Sequence, residues 1–341
     1  MFIFKLPLSF RLPAILPSKP EPKALIGTLF IGFLIKKGLK SIRIFKLHSP
    51  NIKVIFMKTI KEKHLFMLDL DGTVLASSST GEIHPLTKQG IQRAVSEGHV
   101  VAIITGRPWI GSKQIYEELG LDTIIANLNG AHIHNPRDEF FIDYIKYINL
   151  NEVLYILGDP QVEPKIKNLA IEGPGWVHLR ERDPKLEEVF SFMNFPKIHF
   201  GINLTKIPLK PTGIIVDLHD DSDAPALLRY LRQRYSDLAA FSYWSKGLNE
   251  SLVFDITAIG VDKGKVLSLL TRYYKIDVTN TVAIGDSFND EEMLKLAHHP
   301  VAMLNSEPRI KRHAKYITKL DNVHGGVGQF ILDFLDGKTK S

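Results

Sequence analysis

Leu65-Phe66-Met67-Leu68-Asp69-Leu70-Asp71-Gly72-Thr73 is the stretch on which the reading of this chain turns. Four apolar residues in a row read as a buried strand. The two carboxylates that follow, two positions apart, project to the same side of an extended strand end. Gly72 then lets the backbone turn sharply. One carboxylate so placed can attack, its neighbour can handle a proton, and both can sit beside a hard cation such as Mg²⁺. Taken alone, the string also suits a surface turn or a calcium-type loop, so the rest of the chain has to decide.

Three later segments supply the missing parts. Val100 to Ile104 reads as a second strand and ends in Thr105-Gly106-Arg107. A hydroxyl and free backbone N–H groups at the carboxyl end of a strand can hold a phosphate, and ligands of open α/β sheets bind at that edge. Lys263, in Gly260-Val261-Asp262-Lys263-Gly264, stands at the start of an amphipathic helix. Its charge can balance two aspartates and a phosphate. Thr281 to Ile284 reads as a third strand, followed by Gly285-Asp286-Ser287-Phe288-Asn289-Asp290, which offers further oxygens for a metal.

Length and composition set the frame. At 341 residues the chain has room for about two domains. It is 44% hydrophobic and 23% charged, as soluble globular proteins are. It contains no cysteine, which excludes disulfides, thiol nucleophiles and cysteine metal sites, and leaves no sign of an oxidising compartment, so a cytoplasmic location is expected. The net charge of +6 is unevenly spread. Residues 1–56 hold ten Lys or Arg against the single acid Glu21, a charge of +9, which leaves 33 basic and 36 acidic residues, or −3, for the remainder. No nucleic-acid partner is expected, because that remainder shows no basic stripe interleaved with aromatics.

The first 62 residues read as a basic, apolar extension, with Met57 a candidate start. Its apolar run, 24–35, is bracketed by lysines and is shorter than the roughly twenty residues that a membrane span needs. No membrane partner is therefore expected, with a short amphipathic anchor as the alternative. From Leu65 strand and helix patterns alternate. Pro85 to Gly98 and Trp109 to Leu119 read as helices, and Thr123 to Leu128 as a strand. Such alternation implies a parallel sheet with right-handed crossovers. It loosens after about residue 142 and is expected to resume at Val253 to Thr257. The fold class is thus α/β, a Rossmann-like parallel-sheet core (63–142 and 247–337) carrying an inserted α/β module (143–246). Trp176, Phe200 and Trp244 are expected to lie in the core of that module, and Asp223 to cap its helix Ala224 to Tyr235.

The four segments, in this order, resemble the haloacid dehalogenase-like superfamily of phosphatases, in particular its Cof-type branch, subfamily IIB. Asp69 and Asp71 match its first motif, Thr105 the second, Lys263 the third, and Gly285-Asp286 with Asn289-Asp290 the fourth. Asn129-Gly130-Ala131 is similar to a segment typical of the branch. The resemblance covers residues 63 to 336. It departs mildly where Leu304-Asn305-Ser306 replaces Gly-Asn-Ala and where Gly325 lengthens a turn. It implies that the inserted module is a cap over the site, and that Asp69 is a nucleophile forming an aspartyl-phosphate. Asp71 would be the general acid and base, with a raised pKa. Mg²⁺ would be held by Asp69, the backbone carbonyl of Asp71, and Asp286. For Asp290 a direct ligand role and a bracing, helix-capping role stand side by side. Thr105, the N–H groups of Gly106 and Leu70, Lys263 and Asn289 would bind the phosphoryl oxygens. For Arg107 a substrate contact and a structural salt bridge remain open. The substrate class implied is small phosphorylated metabolites, sugar phosphates foremost. A sugar phosphomutase and a non-catalytic binding module are the rival readings. Oligomeric state is not legible.

Overall fold

The computed structural model describes residues 42–46, 55–59 and 62–339, except 191, 204–205, 209 and 246–251. The chain divides into two units, Met1–Glu62 and Lys63–Ser341. In the first, strands Ile42–Lys46 and Ile55–Thr59 pair antiparallel, with Ile44 opposite Met57. The apolar run 24–35 lies outside the described residues. Among the described residues, no helix is long and apolar enough to cross a membrane.

The second unit is built on a sheet of five strands in the order Tyr316–Ile317, His299–Ala302, Thr281–Gly285, Leu65–Leu68, Val100–Ile103. All its pairings are parallel. Leu65–Leu68 and Val100–Ile103 are apolar and buried along their whole length because helices cover both faces. Phe66, Leu68, Val101 and Ile103 pack with Ile91 of helix Pro85–Ser96 and with Val327, Phe330 and Ile331 of helix Gly326–Leu335. On the other face Leu65, Met67 and Ala102 pack with Val266, Leu267 and Leu270 of helix Lys263–Tyr274.

Strand order places the site. From Leu65–Leu68 the chain moves first to Val100–Ile103 on one side, then returns through Thr281–Gly285 on the other. The crevice at the carboxyl ends of Leu65–Leu68 and Thr281–Gly285 is therefore a topological switch point, where such sheets bind ligands.

A second sheet of six strands runs Lys197–Phe200, Trp176–Leu179, Ile166–Gly173, Gly213–Leu218, Leu252–Ala258, Ala239–Ser245. It forms the inserted α/β cap. Two expectations about its limits need correction. Val253 to Thr257, expected to resume the core, lies inside the cap sheet, with Ile214 opposite Ile256 and Ser242 opposite Asp255. The alternation of Phe254 and Ile256 with Asp255 and Thr257 suits an antiparallel sheet with two unlike faces, not a parallel core strand. Tyr144–Ile145, expected within the insert, pairs instead with His132–His134 on the core side. Trp176 is buried in the cap core, whereas Phe200 is exposed beneath the Arg182 guanidinium. The side chain of Trp244 is outside the described set. Asp223 caps helix Ala224–Tyr235 by accepting from Ala226 N at 2.8 Å.

Helices Pro85–Ser96 and Gly326–Leu335 approach so closely that a Cβ on Gly328 would fall 1.9 Å from Leu86 O. That atom is backbone and cannot swing aside. Gly328→Ala is expected to cost about 1–3 kcal/mol, read as a lower thermal unfolding midpoint; an unchanged midpoint would refute this account of the helix contact.

Candidate active site

The strand ends converge by backbone hydrogen bonding. Asp69 N donates to Ile284 O at 3.1 Å, which pins the start of the Asp69 loop to the neighbouring strand. Gly72 follows with φ +71°, and a Cβ there would lie 2.3 Å from Asp286 Oδ2. Any larger residue would both strain this turn and push the two acidic loops apart. Thr73 donates its hydroxyl to Asp286 Oδ1 at 2.8 Å and braces the loop.

Lys263 joins the two loops. Its Nζ donates to Asp69 Oδ1 at 2.5 Å and to Asp290 Oδ1 at 2.6 Å, and the lysine is fully buried. Burial alone would favour loss of its proton, but Asp290 and Asp69 outweigh that and hold its pKa above the ordinary value. Asp290 accepts, through Oδ2, from Asp286 N at 2.9 Å and Ser287 N at 3.0 Å. Asp69 is pushed up to about 8, first by burial and then by Asp290, against the pull of Lys263. Asp286 is raised by the same two causes, with Asp69 adding to them.

Asp69, Asp286 and Asp290 each offer an oxygen within 4.8 Å of the others. The donors are hard oxygens with no sulfur or imidazole among them, and the crowded charge favours a compensating cation. That set fits Mg²⁺.

Arg107 answers the question that the sequence left open. Its Nε donates to Asp71 Oδ2 at 2.8 Å and its Nη2 to Asp71 Oδ1 at 2.5 Å, a two-pronged pair. Nη2 also reaches Ser78 O at 2.6 Å. The acid crowding thus falls on Asp69 and Asp286, while Asp71 faces a guanidinium.

The residues expected around a phosphate lie at the same sheet edge. Leu70 and Gly106 follow Asp69 and Thr105 at the ends of adjacent strands, and Thr105 Oγ1 accepts from Arg107 N at 3.1 Å. Asn289 Nδ2 donates to Asn129 Oδ1 at 3.1 Å, and its own Oδ1 is buried with no hydrogen-bond partner among the described residues.

Two features were not read from the sequence, the first being the contacts that Asn129 and Phe288 make with the cap. Asn129, at φ +56°, donates through Nδ2 to Asp255 Oδ2 at 2.9 Å and to Ser242 Oγ at 3.3 Å, linking the core loop to the cap. Phe288 stacks on Tyr243 of the cap at 5.3 Å between centroids, with the Arg232 and Arg309 guanidinium groups 4.5 and 4.8 Å from its ring. The second is Glu172, in cap strand Ile166–Gly173. It is buried, and neither carboxylate oxygen has a hydrogen-bond partner among the described residues. The available signal was an acid closing the apolar run Leu169-Ala170-Ile171.

Two outcomes are expected. Arg107→Ala leaves Asp71 buried without its partner and should destabilise the protein by about 3–5 kcal/mol, visible as a lowered denaturation midpoint. Burial, and then Asp255, push Glu172 from its ordinary 4.5 up to about 8. The folded state keeps a proton there that the unfolded chain releases, so this contribution to stability is whole below the ordinary value and is lost as pH rises through about 8. Glu172→Gln, neutral throughout, should flatten the fall in thermal midpoint between those pH values; an unaltered slope would contradict it.

Comparison with known proteins identifies the family. The family model for haloacid dehalogenase-like hydrolases matches residues 66–331. A Metamycoplasma hominis protein carrying a provisional phosphatase designation is 55% identical over 271 residues, 80% of this chain and 96% of the relative. The Bacillus subtilis 5-amino-6-(5-phospho-D-ribitylamino)uracil phosphatase is 30% identical over 271 residues, 80% of this chain and 97% of that one. The crystal structure of a haloacid dehalogenase-like hydrolase from Bacteroides thetaiotaomicron superposes with a TM-score of 0.63 at 24% identity, covering 80% of this chain and 100% of that chain. The chain belongs to the haloacid dehalogenase-like hydrolase family, as a phosphatase of its Cof-type branch.

Proposed function

We propose that this phosphatase is Mg²⁺-dependent and hydrolyses small phosphorylated metabolites, sugar phosphates foremost, through an aspartyl-phosphate. The observation that carries the reading is Lys263 held between Asp69 and Asp290, with Asp286 beside them, at the switch point of the sheet. A Bacillus relative whose name specifies a phosphate on a ribityl chain supports the substrate class. The absence of cysteine fits a cytoplasmic setting.

In this reading the Asp69 carboxylate attacks phosphorus, and the bond to the leaving oxygen breaks. Asp71 gives a proton to that oxygen from its protonated form, which requires one of its two bonds to Arg107 to be released. It then takes a proton from the water that attacks the aspartyl-phosphate, restoring Asp69 and releasing inorganic phosphate. Thr105, the N–H groups of Leu70 and Gly106, Lys263 and Asn289 hold the phosphoryl oxygens. Asp69, the backbone carbonyl of Asp71, and Asp286 would hold Mg²⁺, which would supply the positive charge that lets one anion approach another. Asp290 has both oxygens engaged by Lys263 and the loop N–H groups, which supports the bracing role over direct ligation.

The test is p-nitrophenyl phosphate hydrolysis by the full chain, with Mg²⁺ and with a chelator, beside Asp69→Asn. Turnover is expected only with Mg²⁺, and the variant should lose at least about a thousandfold in kcat. Metal-independent turnover, or a variant that keeps its rate, would sink the mechanism.

A further inference from the structure

We propose that Glu172, flanked by Asp255 and Ser242 on one face of the cap sheet, reads the leaving group and selects phosphate esters whose leaving group carries hydroxyls. The inference rests on the phosphatase reading above and extends it to specificity.

The register sets the face. Glu172 lies opposite Gly213, Ile215 opposite Asp255, and Asp255 opposite Ser242. Residues two apart along a strand share a face, so Glu172, Gly213, Ile215, Asp255 and Ser242 share one. That face meets the core loop that follows Thr105. A Cβ on Gly213 would lie 3.1 Å from Glu172 Oε1 and 3.3 Å from Leu128 Cδ2, so the missing side chain leaves the space in which cap carboxyl and core loop approach. From Leu128 the chain continues to Asn129, whose amide bonds Asp255 and Ser242 on one side and receives Asn289 on the other. Asn129 N also donates to Thr105 O at 2.9 Å. Asn129 therefore links the phosphate side of the site to the sheet face on which Glu172 lies.

A buried carboxyl without a partner is costly, and among the described residues neither Glu172 oxygen has one; the Oδ1 of Asn289, nearer the phosphate side, also lacks one. A ligand hydroxyl would supply what Glu172 lacks. Burial keeps the Glu172 carboxyl neutral near pH 7, and a neutral carboxyl both donates and accepts, as a hydroxyl does. A cationic amine would instead require an ionised carboxylate. An apolar leaving group would leave the carboxyl unsatisfied.

The experiment compares kcat/KM for ribitol 5-phosphate, phosphoethanolamine and p-nitrophenyl phosphate in the full-length wild type, Glu172→Leu and Glu172→Gln. The wild type should favour ribitol 5-phosphate. Glu172→Leu should lower the ratio of ribitol 5-phosphate to p-nitrophenyl phosphate by about tenfold or more, mainly through KM, and Glu172→Gln, whose amide both donates and accepts, should restore most of it. An unchanged ratio, an equal fall on all three substrates, or a selective loss of phosphoethanolamine would overturn the proposal. Calorimetric binding of ribitol 5-phosphate to Asp69→Asn, with and without Glu172→Leu, reads the same contact without turnover. Weaker binding in the double variant supports the proposal even where the aspartyl-phosphate mechanism fails, and equal binding refutes it.

Discussion

A buried ammonium between two buried carboxylates holds this site together. Asp69, Lys263 and Asp290 come from three distant parts of the chain, and each sits at or just beyond the end of a strand or the start of a helix. Removing one member of such a set strands a charge in a medium that cannot solvate it. The position of the sheet, the turn at Gly72 and the capping of helix Lys263–Tyr274 by Asp262 all serve to bring these groups within hydrogen-bond distance. One lysine cannot neutralise three neighbouring acids. Burial first, and then the neighbouring acids, push Asp69 and Asp286 upward.

The carboxyl groups of the site occupy two different environments. Asp69, Asp286 and Asp290 crowd one another, while Asp71 is set apart and gripped by Arg107. Two aspartates two positions apart in sequence can therefore take different parts in one reaction. Backbone spacing brings them to the same edge; their long-range partners tell them apart.

Cap and core meet through a few well-defined contacts. Phe288 extends from the acidic loop into a setting of Tyr243, Arg232 and Arg309, and Asn129 reaches up to Asp255 and Ser242. The cap sheet has two unlike faces. Ile214, Val216, Phe254 and Ile256 pack into the cap core, while Asp255 and Glu172 face the other way. The phosphoryl chemistry proposed here falls on the strand ends of the core, and the proposed contact with the rest of the substrate on a separately built surface. That division lets cap residues vary without disturbing the charge balance below.

What was legible in the sequence was local. Leu65 to Thr73, Thr105-Gly106, Lys263 and the 285–290 loop carry their meaning in short spacings, because alternation along a strand and a glycine turn are set by neighbouring residues. The βαβ alternation was readable for the same reason. What depended on pairing across the chain was not. Strand Leu252–Ala258 carries an alternation that a sequence can show, but its place between Gly213–Leu218 and Ala239–Ser245 is set by hydrogen-bond register. The partner of Arg107 and the burial of Glu172 were invisible for a like cause. The sequence alone put forward the aspartates and the lysine of the candidate site. The tertiary structure decided which of them would face one another, because the energy of a buried charge depends on what surrounds it in space and not on its neighbours along the chain.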